Sequence, residues 1–255
     1  MNVSSLLRGL LAIALVALAP AARAGGFSTT NVQLLQGYNF DDALGNYDDG
    51  RLTTLTLNHF STWEHGDSFF FADLTRGRMS DEDATGAYAE WHPRLFLNGL
   101  LDQKEPIGGI IRNWGLAGEV NQGNNFYAYL GGVGFDFAVP PGWVLGLNLF
   151  YRYDKFADHQ WQISPYWTVP FAVGPVPLLF TGFIDVNGTK DGAGDDAVEI
   201  WAQPELLVDV LAVAGGPKGK LHAGVEWFIH RGYGFGETEA TVTSAPQIMV
   251  QWTIF

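Results

Sequence analysis

The feature that most constrains this chain is a period-two alternation of apolar and polar side chains, sustained over runs of about 10–14 residues. Successive side chains on a strand point to opposite faces, so each run describes a strand with two different environments. Between Val198 and Val210, one face carries Val198, Ile200, Ala202, Leu206 and Val208. The other carries Glu199, Gln203, Glu205 and Asp209, together with Trp201 and Leu207. Ala89, Trp91, Leu95 and Leu97 likewise oppose Glu90, His92 and Arg94. Trp143, Leu145, Leu147, Leu149, Tyr151 and Tyr153 oppose Asn148, Arg152 and Asp154. Leu221, Ala223, Val225, Trp227 and Ile229 oppose Lys220, His222, Glu226 and His230. Strands of a soluble sandwich run to about 5–6 residues. Runs this long suit tilted strands that cross a bilayer.

Composition narrows the classes further. The chain has 255 residues, of which 47% are hydrophobic, 14% aromatic and only 16% charged. It has no cysteine, which excludes a disulfide scaffold and a Cys-ligated metal centre. The balance of 27 acids against 14 bases gives a net charge of −13, which disfavours binding to nucleic acid phosphates. So many aromatics argue against intrinsic disorder.

The first 24 residues read as a signal peptide. Arg8 precedes an apolar run from Gly9 to Ala19, and Ala22-Arg23-Ala24 supplies the small-x-small pattern of a cleavage site. The run is too short for a transmembrane helix. Cleavage after Ala24 would leave residues 25–255 as one β-barrel domain, with 12 bases against 27 acids. Trp143, Tyr153, Trp161, Trp167, Trp227 and Trp252 mark the ends of apolar stripes, where a barrel would place them at headgroup level.

Two sets of connections separate the runs. His65-Gly66-Asp67, Val139–Gly142, Gly174–Pro177 and Gly215–Pro217 read as short turns. Asp41–Gly50, Arg76–Gly86, Asn187–Asp196 and Gly232–Ala240 read as longer, acidic loops. Short turns on one side and long loops on the other describe an outer-membrane barrel. The spacing predicts an all-β, antiparallel transmembrane barrel of about twelve strands. Their starts fall near residues 32, 52, 68, 87, 110, 125, 143, 160, 178, 197, 220 and 243. Strands near 32 and 110 alternate poorly, which leaves ten or fourteen open. The chain ends on Phe255, after Ile248, Val250, Trp252 and Ile254 on alternate positions. That terminal aromatic resembles the sorting signal of bacterial outer-membrane barrels, although the apolar stripe is out of phase with it.

A twelve-stranded barrel has a narrow lumen, and charges persist there more cheaply than on the lipid face, where one costs about 2–4 kcal/mol at mid-bilayer. The polar parity places Asp73, Glu90, His92, Arg94, Arg152, Asp185, Glu199, Glu205, Glu226 and His230 inside, with Phe183, Trp201 and Phe228. Aromatic faces beside hydrogen-bonding groups suit a flat, polar, uncharged solute such as a nucleoside. The same charges could instead pair across the lumen and only brace the wall.

Three stretches carry a family resemblance. They are Leu52 to Gly77, Glu90-Trp91-His92-Pro93-Arg94-Leu95, and Tyr129 to Asp136 with the Pro turn and the strand through Tyr151-Arg152-Tyr153. Together with the length, the leader and the terminal Phe, they resemble the nucleoside-specific, Tsx-like channel proteins of the Gram-negative outer membrane, which include OmpK-type phage receptors. Leu95 stands where that family has an aromatic. The resemblance implies a monomeric twelve-stranded barrel that passes nucleosides by weak binding, bordered by outer-membrane lipid and lipopolysaccharide. It brings forward the Glu90 and Arg94 strand, with Asp73 and Asp136, as solute contacts. A phage-receptor or structural barrel without solute transport is the alternative.

No catalytic set stands out, and no enzyme activity, cofactor or metal is expected. There is no Gly-x-Ser-x-Gly elbow, and His159 with Asp158 reads as a solvated loop pair. Gly232–Gly236 lacks dinucleotide-site spacing. Asp191–Asp196 is acidic and Gly-rich, yet lacks the order of a calcium loop.

Overall fold

The structure, a computed structural model, describes residues 26–40, 47–103, 105–234 and 236–255. The expected signal peptide lies outside the described residues. No helix among them is long and apolar enough to cross a membrane. The alternating runs become strands β1 (Ser28–Gly37), β2 (Leu52–Trp63), β3 (Gly66–Met79), β4 (Glu82–Phe96), β5 (Ile111–Gly123), β6 (Tyr127–Phe137) and β7 (Val144–Asp154). They continue through β8 (Asp158–Val173), β9 (Val176–Lys190), β10 (Asp196–Ala202), β11 (Glu205–Asp209), β12 (Leu221–Gly232) and β13 (Thr241–Thr253). Each pairs antiparallel with its neighbours. β10 and β11 are two halves of one wall position, since both pair with β9 and with β12. Pro204, which has no N–H to give a ladder, lies in the break between them. The sheet closes where β1 meets β13, from Asn31↔Thr253 to Gly37↔Gln247. The result is a twelve-walled, closed antiparallel barrel of the outer-membrane type, with no free edge.

The two faces separate as the alternation requires. Leu34, Leu55, Leu74, Leu116, Leu149, Leu206, Ile248 and Val250 are exposed on the outside. Tyr127, Tyr129, Tyr151 and Tyr153 form an outward aromatic group with His159, in which Tyr127 lies 6.4 Å from Tyr153. It sits around the β5–β6 and β7–β8 turns. Trp143, Trp167 and Trp252 lie toward the opposite end, where a second belt is expected. Trp227 departs from this expectation. It sits mid-strand, with its indole N–H donating to Ser244 Oγ at 2.9 Å.

The connections are less lopsided than their composition predicts. Arg76–Gly86 is not a loop, because β3 and β4 run on to a two-residue turn at Ser80-Asp81. Both turn residues have positive φ (53° and 63°), the mirror-image turn that matches strand twist. An ion pair between Arg76 and Asp83 at 2.7 Å joins the extended strand ends. Asn187–Asp196 is likewise mostly ladder, with Asp196 paired to Lys190. At the other end, β4 and β5 are joined by a segment holding a short helix, α1 (Leu97–Leu100), so Leu97 is helical rather than the end of a strand. A second short helix, α2 (Val210–Val213), leads toward β12 and is capped by Asp209, which accepts from the Ala212 N–H. Gly215–Pro217 therefore belongs to a longer connection than a short turn.

The interior is not uniformly polar. Leu35, Leu207 and Met249 are buried together with Leu179 against them, all projecting inward from β1, β11, β13 and β9. A second inward group joins Ala117, Ala128, Leu130 and Phe150.

Candidate functional site: an acidic lumen

The ladder register sets which inward side chains meet. Glu90 on β4 faces Asn121 on β5. The same register sets His92 beside Glu119, with Nδ1 3.4 Å from Glu119 Oε2. His92 Nε2 is 2.7 Å from Glu90 Oε2. Tyr88 donates to Glu90 Oε1 at 2.5 Å, and Asn121 Nδ2 donates to Glu119 Oε1 at 2.9 Å. Asp185 takes a hydrogen bond from Ser164 and lies in the fields of Glu119, Glu90 and His92. Among the described residues, Glu90, His92 and Glu119 form a group whose ligand-type atoms all lie within 4.8 Å of one another.

Arg94 organises a second cluster near the β2–β3 turn. Its guanidinium forks onto Asp67, with Nε 2.8 Å from Oδ1 and a second ion pair to Oδ2. It also pairs with Asp136 Oδ1 at 2.7 Å and reaches Tyr166 on β8. Asp136 further accepts from Tyr166 Oη at 2.7 Å and from Asn113 Nδ2 at 3.0 Å. Arg94 thus links β3, β4, β6 and β8 in one charge-assisted network. Arg152 holds Asp154 Oδ2 at 2.8 Å and Gln162 Oε1 at 2.5 Å, over the Phe126 ring at 5.8 Å.

A third cluster lies between β9, β10 and β12. His230 Nε2 meets Glu199 Oε1 at 2.7 Å, and Asn187 Nδ2 donates to Glu199 Oε2 at 3.0 Å. The Trp201 ring lies 3.8 Å, centroid to centroid, from the His230 ring. Phe228 packs edge-on to Trp201 at 5.9 Å and against Phe40 at 5.2 Å. Asp185 is Trp201's register partner, and Phe183 is Tyr166's. Elsewhere Thr56 donates to Asp73 at 2.5 Å. Gln247 donates to Glu226 at 2.6 Å.

All the sequence-derived site residues therefore sit on the inward parity. They fall into adjoining groups along the wall. Asp73 is the register partner of Tyr88, which donates to Glu90, and Glu226 feels the charge of Asp73 in turn. Arg94 joins Asp136, Arg152 holds Asp154 within the field of Glu119, and Glu199, Trp201, Phe228 and His230 form the third group, with Asp185 beside Trp201. Asp67, Glu119, Tyr88, Asn121 and Tyr166 are interior members that the alternation alone did not bring forward. Asp67 reads as part of a turn, beside His65 and Gly66, yet it is only 4% exposed and lies on β3.

The charge on this wall is one-sided. Inward carboxylates Asp67, Asp73, Glu90, Glu119, Asp136, Asp154, Asp185, Glu199, Glu205 and Glu226 stand against the guanidiniums of Arg94 and Arg152 on the described strands. At an effective dielectric of about 20, one uncompensated carboxylate raises the energy of an anion ~8 Å away by ~2 kcal/mol. Those that are ionised and unpaired disfavour anions and favour cations and neutral dipoles.

No protein-family profile matches the sequence, and no curated protein matches it. Among solved structures, the chain is similar to the KdgM porin, at 8% identity and a TM-score of 0.48, over 88% of this chain and 99% of that one. It is also similar to an outer membrane channel from Pseudomonas putida F1, at 9% identity and a TM-score of 0.42, over 91% of this chain and 96% of that one. A further likeness is to OccK5 (OpdH) of Pseudomonas aeruginosa, at 8% identity and a TM-score of 0.33, over 89% and 97%.

Proposed function

We propose that the protein is a passive diffusion channel of the Gram-negative outer membrane for small, uncharged polar solutes, with nucleosides as the class that fits best. The observation that carries this reading is the group of Trp201, Glu199 and Asn187 on one stretch of inner wall. It sets an aromatic face beside a carboxylate acceptor and an amide. A base could stack on the Trp201 face opposite His230 while its sugar hydroxyls hydrogen-bond to Glu199, whose oxygens His230 and Asn187 hold in place. Weak binding of this kind lowers the barrier to permeation without trapping the solute. The acid excess adds a filter, since anionic solutes are repelled while neutral nucleosides pass. One chain suffices, because β1 and β13 close the barrel within it. Lipid and lipopolysaccharide would be its outer neighbours, and residues 1–24 would direct export and then be removed.

A second reading, a structural or phage-receptor barrel without solute transport, is favoured by one observation. Arg94 spans from β4 to Asp136 and Tyr166 on β6 and β8, which braces the lumen as much as it lines it.

Single-channel recording with adenosine or thymidine titrated in tests both. A small conductance that falls saturably with nucleoside, and not with ribose, supports the nucleoside channel. Conductance indifferent to nucleoside would leave a general narrow pore. A folded barrel with no conductance would move the assignment to the receptor reading.

A further inference from the structure

We propose that His92 and Glu119, supported by Asn121 and oriented by Glu90, form a binding site for one divalent transition-metal ion on the lumen wall. The inference rests on donor geometry and is independent of which solute the barrel carries. Glu90 and His92 occupy alternate inward positions of β4, and Glu119 and Asn121 occupy alternate inward positions of β5. Register locks the four into a two-by-two block.

The two contacts of the imidazole differ in kind. Nε2 to Glu90 Oε2, at 2.7 Å, is a normal charge-assisted hydrogen bond. Nδ1 to Glu119 Oε2, at 3.4 Å, is beyond the usual N–H···O range. It does match the separation of two ligand atoms on one tetrahedral zinc. Bonds of about 2.0–2.1 Å from metal to each donor give a ligand–ligand edge of roughly 3.3 Å. In the neutral ring whose Nε2–H donates to Glu90, the Nδ1 lone pair faces the gap toward Glu119. That is the carboxylate–histidine–metal arrangement, in which the outer carboxylate fixes tautomer and ring direction. Glu90 is in this account a positioning residue.

A second, independent observation points to the same spot. Asn121 is only 3% exposed, and its Oδ1 has no hydrogen-bond partner although its Nδ2 is bonded to Glu119. A buried carbonyl oxygen without a donor costs free energy, which a cation within its reach would offset. Asp185, in the field of Glu119 and Glu90, lies beside the site. Access is from the lumen, since 21% of the His92 side chain remains open. An imidazole nitrogen, the Glu119 carboxylate and an amide oxygen form a borderline donor set that suits Zn²⁺ better than Mg²⁺ or Ca²⁺.

The test is calorimetric titration of ZnCl₂ into the folded full-length barrel in detergent, with heat-modifiable gel migration verifying the fold of every variant. One zinc per barrel is expected, with affinity about tenfold or more weaker in His92→Gln and in Glu119→Gln. Glu90→Gln, which keeps an acceptor for Nε2–H, should lose less affinity than Glu90→Ala, as a positioning role requires. Absence of zinc binding to the wild type would overturn the proposal. So would binding that His92→Gln and Glu119→Gln leave unchanged, since the group would then be only an ion triad that braces the wall.

Discussion

Glu205 and Glu226 are register partners on the inner face of β11 and β12, carboxylate set directly opposite carboxylate. Glu226 has a donor in Gln247 at 2.6 Å, whereas Glu205 Oε2 is buried without a partner. Two carboxyl groups set opposite each other in a ladder cannot both ionise without opposing folding, and an unsatisfied buried acceptor also opposes it. Glu205→Gln removes the repulsion and supplies a donor facing Glu226. The substitution is expected to stabilise the barrel by about 0.5–1 kcal/mol near neutral pH. Urea titration followed by gel mobility of the folded band would show a higher midpoint; a lower midpoint would mean that the Glu205 carboxylate is held by a cation instead.

Arg94 should behave in the opposite way. Its removal leaves Asp67, 4% exposed, and Asp136 without their cation. Breaking a buried pair from one side typically costs about 3–5 kcal/mol. Arg94→Ala is therefore expected to lower the urea midpoint strongly. Arg94→Lys should recover only part of the loss, because an ammonium cannot reproduce the fork onto Asp67. Equal stability of wild type and Arg94→Ala would show that the network does not brace the wall.

Trp201 and Phe228 test the solute platform. A base stacked on an aromatic contributes about 1–3 kcal/mol, so Trp201→Ala should weaken nucleoside block of the conductance by roughly 5- to 150-fold. Phe228 packs against Trp201 rather than beside Glu199, so Phe228→Ala should have the smaller effect. Undiminished block in both variants would remove these rings from the binding site.

Much of this architecture was legible in the chain, and the reason is local. An apolar/polar alternation answers directly to a barrel with lipid outside and a polar lumen. The predicted starts at 52, 143, 197 and 220 therefore lie within one residue of β2, β7, β10 and β12. Legibility failed where a residue's partner lies on another strand. Asp67 looks like turn chemistry, and only the guanidinium of Arg94 explains why it is inside. Glu119 sits in a Gly-rich stretch whose alternation is broken for a packing reason. A Cβ at Gly115 would lie 1.9 Å from the Leu95 carbonyl oxygen, so that strand gives up a side chain where the backbones approach. The acidic segments at Arg76–Gly86 and Asn187–Asp196 read as loops because Asp and Gly are turn formers. Cross-strand pairs such as Arg76 with Asp83 and Lys190 with Asp196, at 2.7 and 2.6 Å, hold their ends in the ladder instead. Grouping of the lumen residues was invisible, because it depends on which strands the closed sheet sets opposite each other.

The most direct test of the central claim is the reversal potential of the folded barrel in a planar bilayer under a tenfold KCl gradient. A conducting lumen walled by carboxylates and only two inward arginines on its described strands predicts cation selectivity, reduced in the Glu119→Gln/Asp185→Asn double variant. A measurable conductance with a preference for chloride, or no conductance from a barrel shown to be folded, would contradict it.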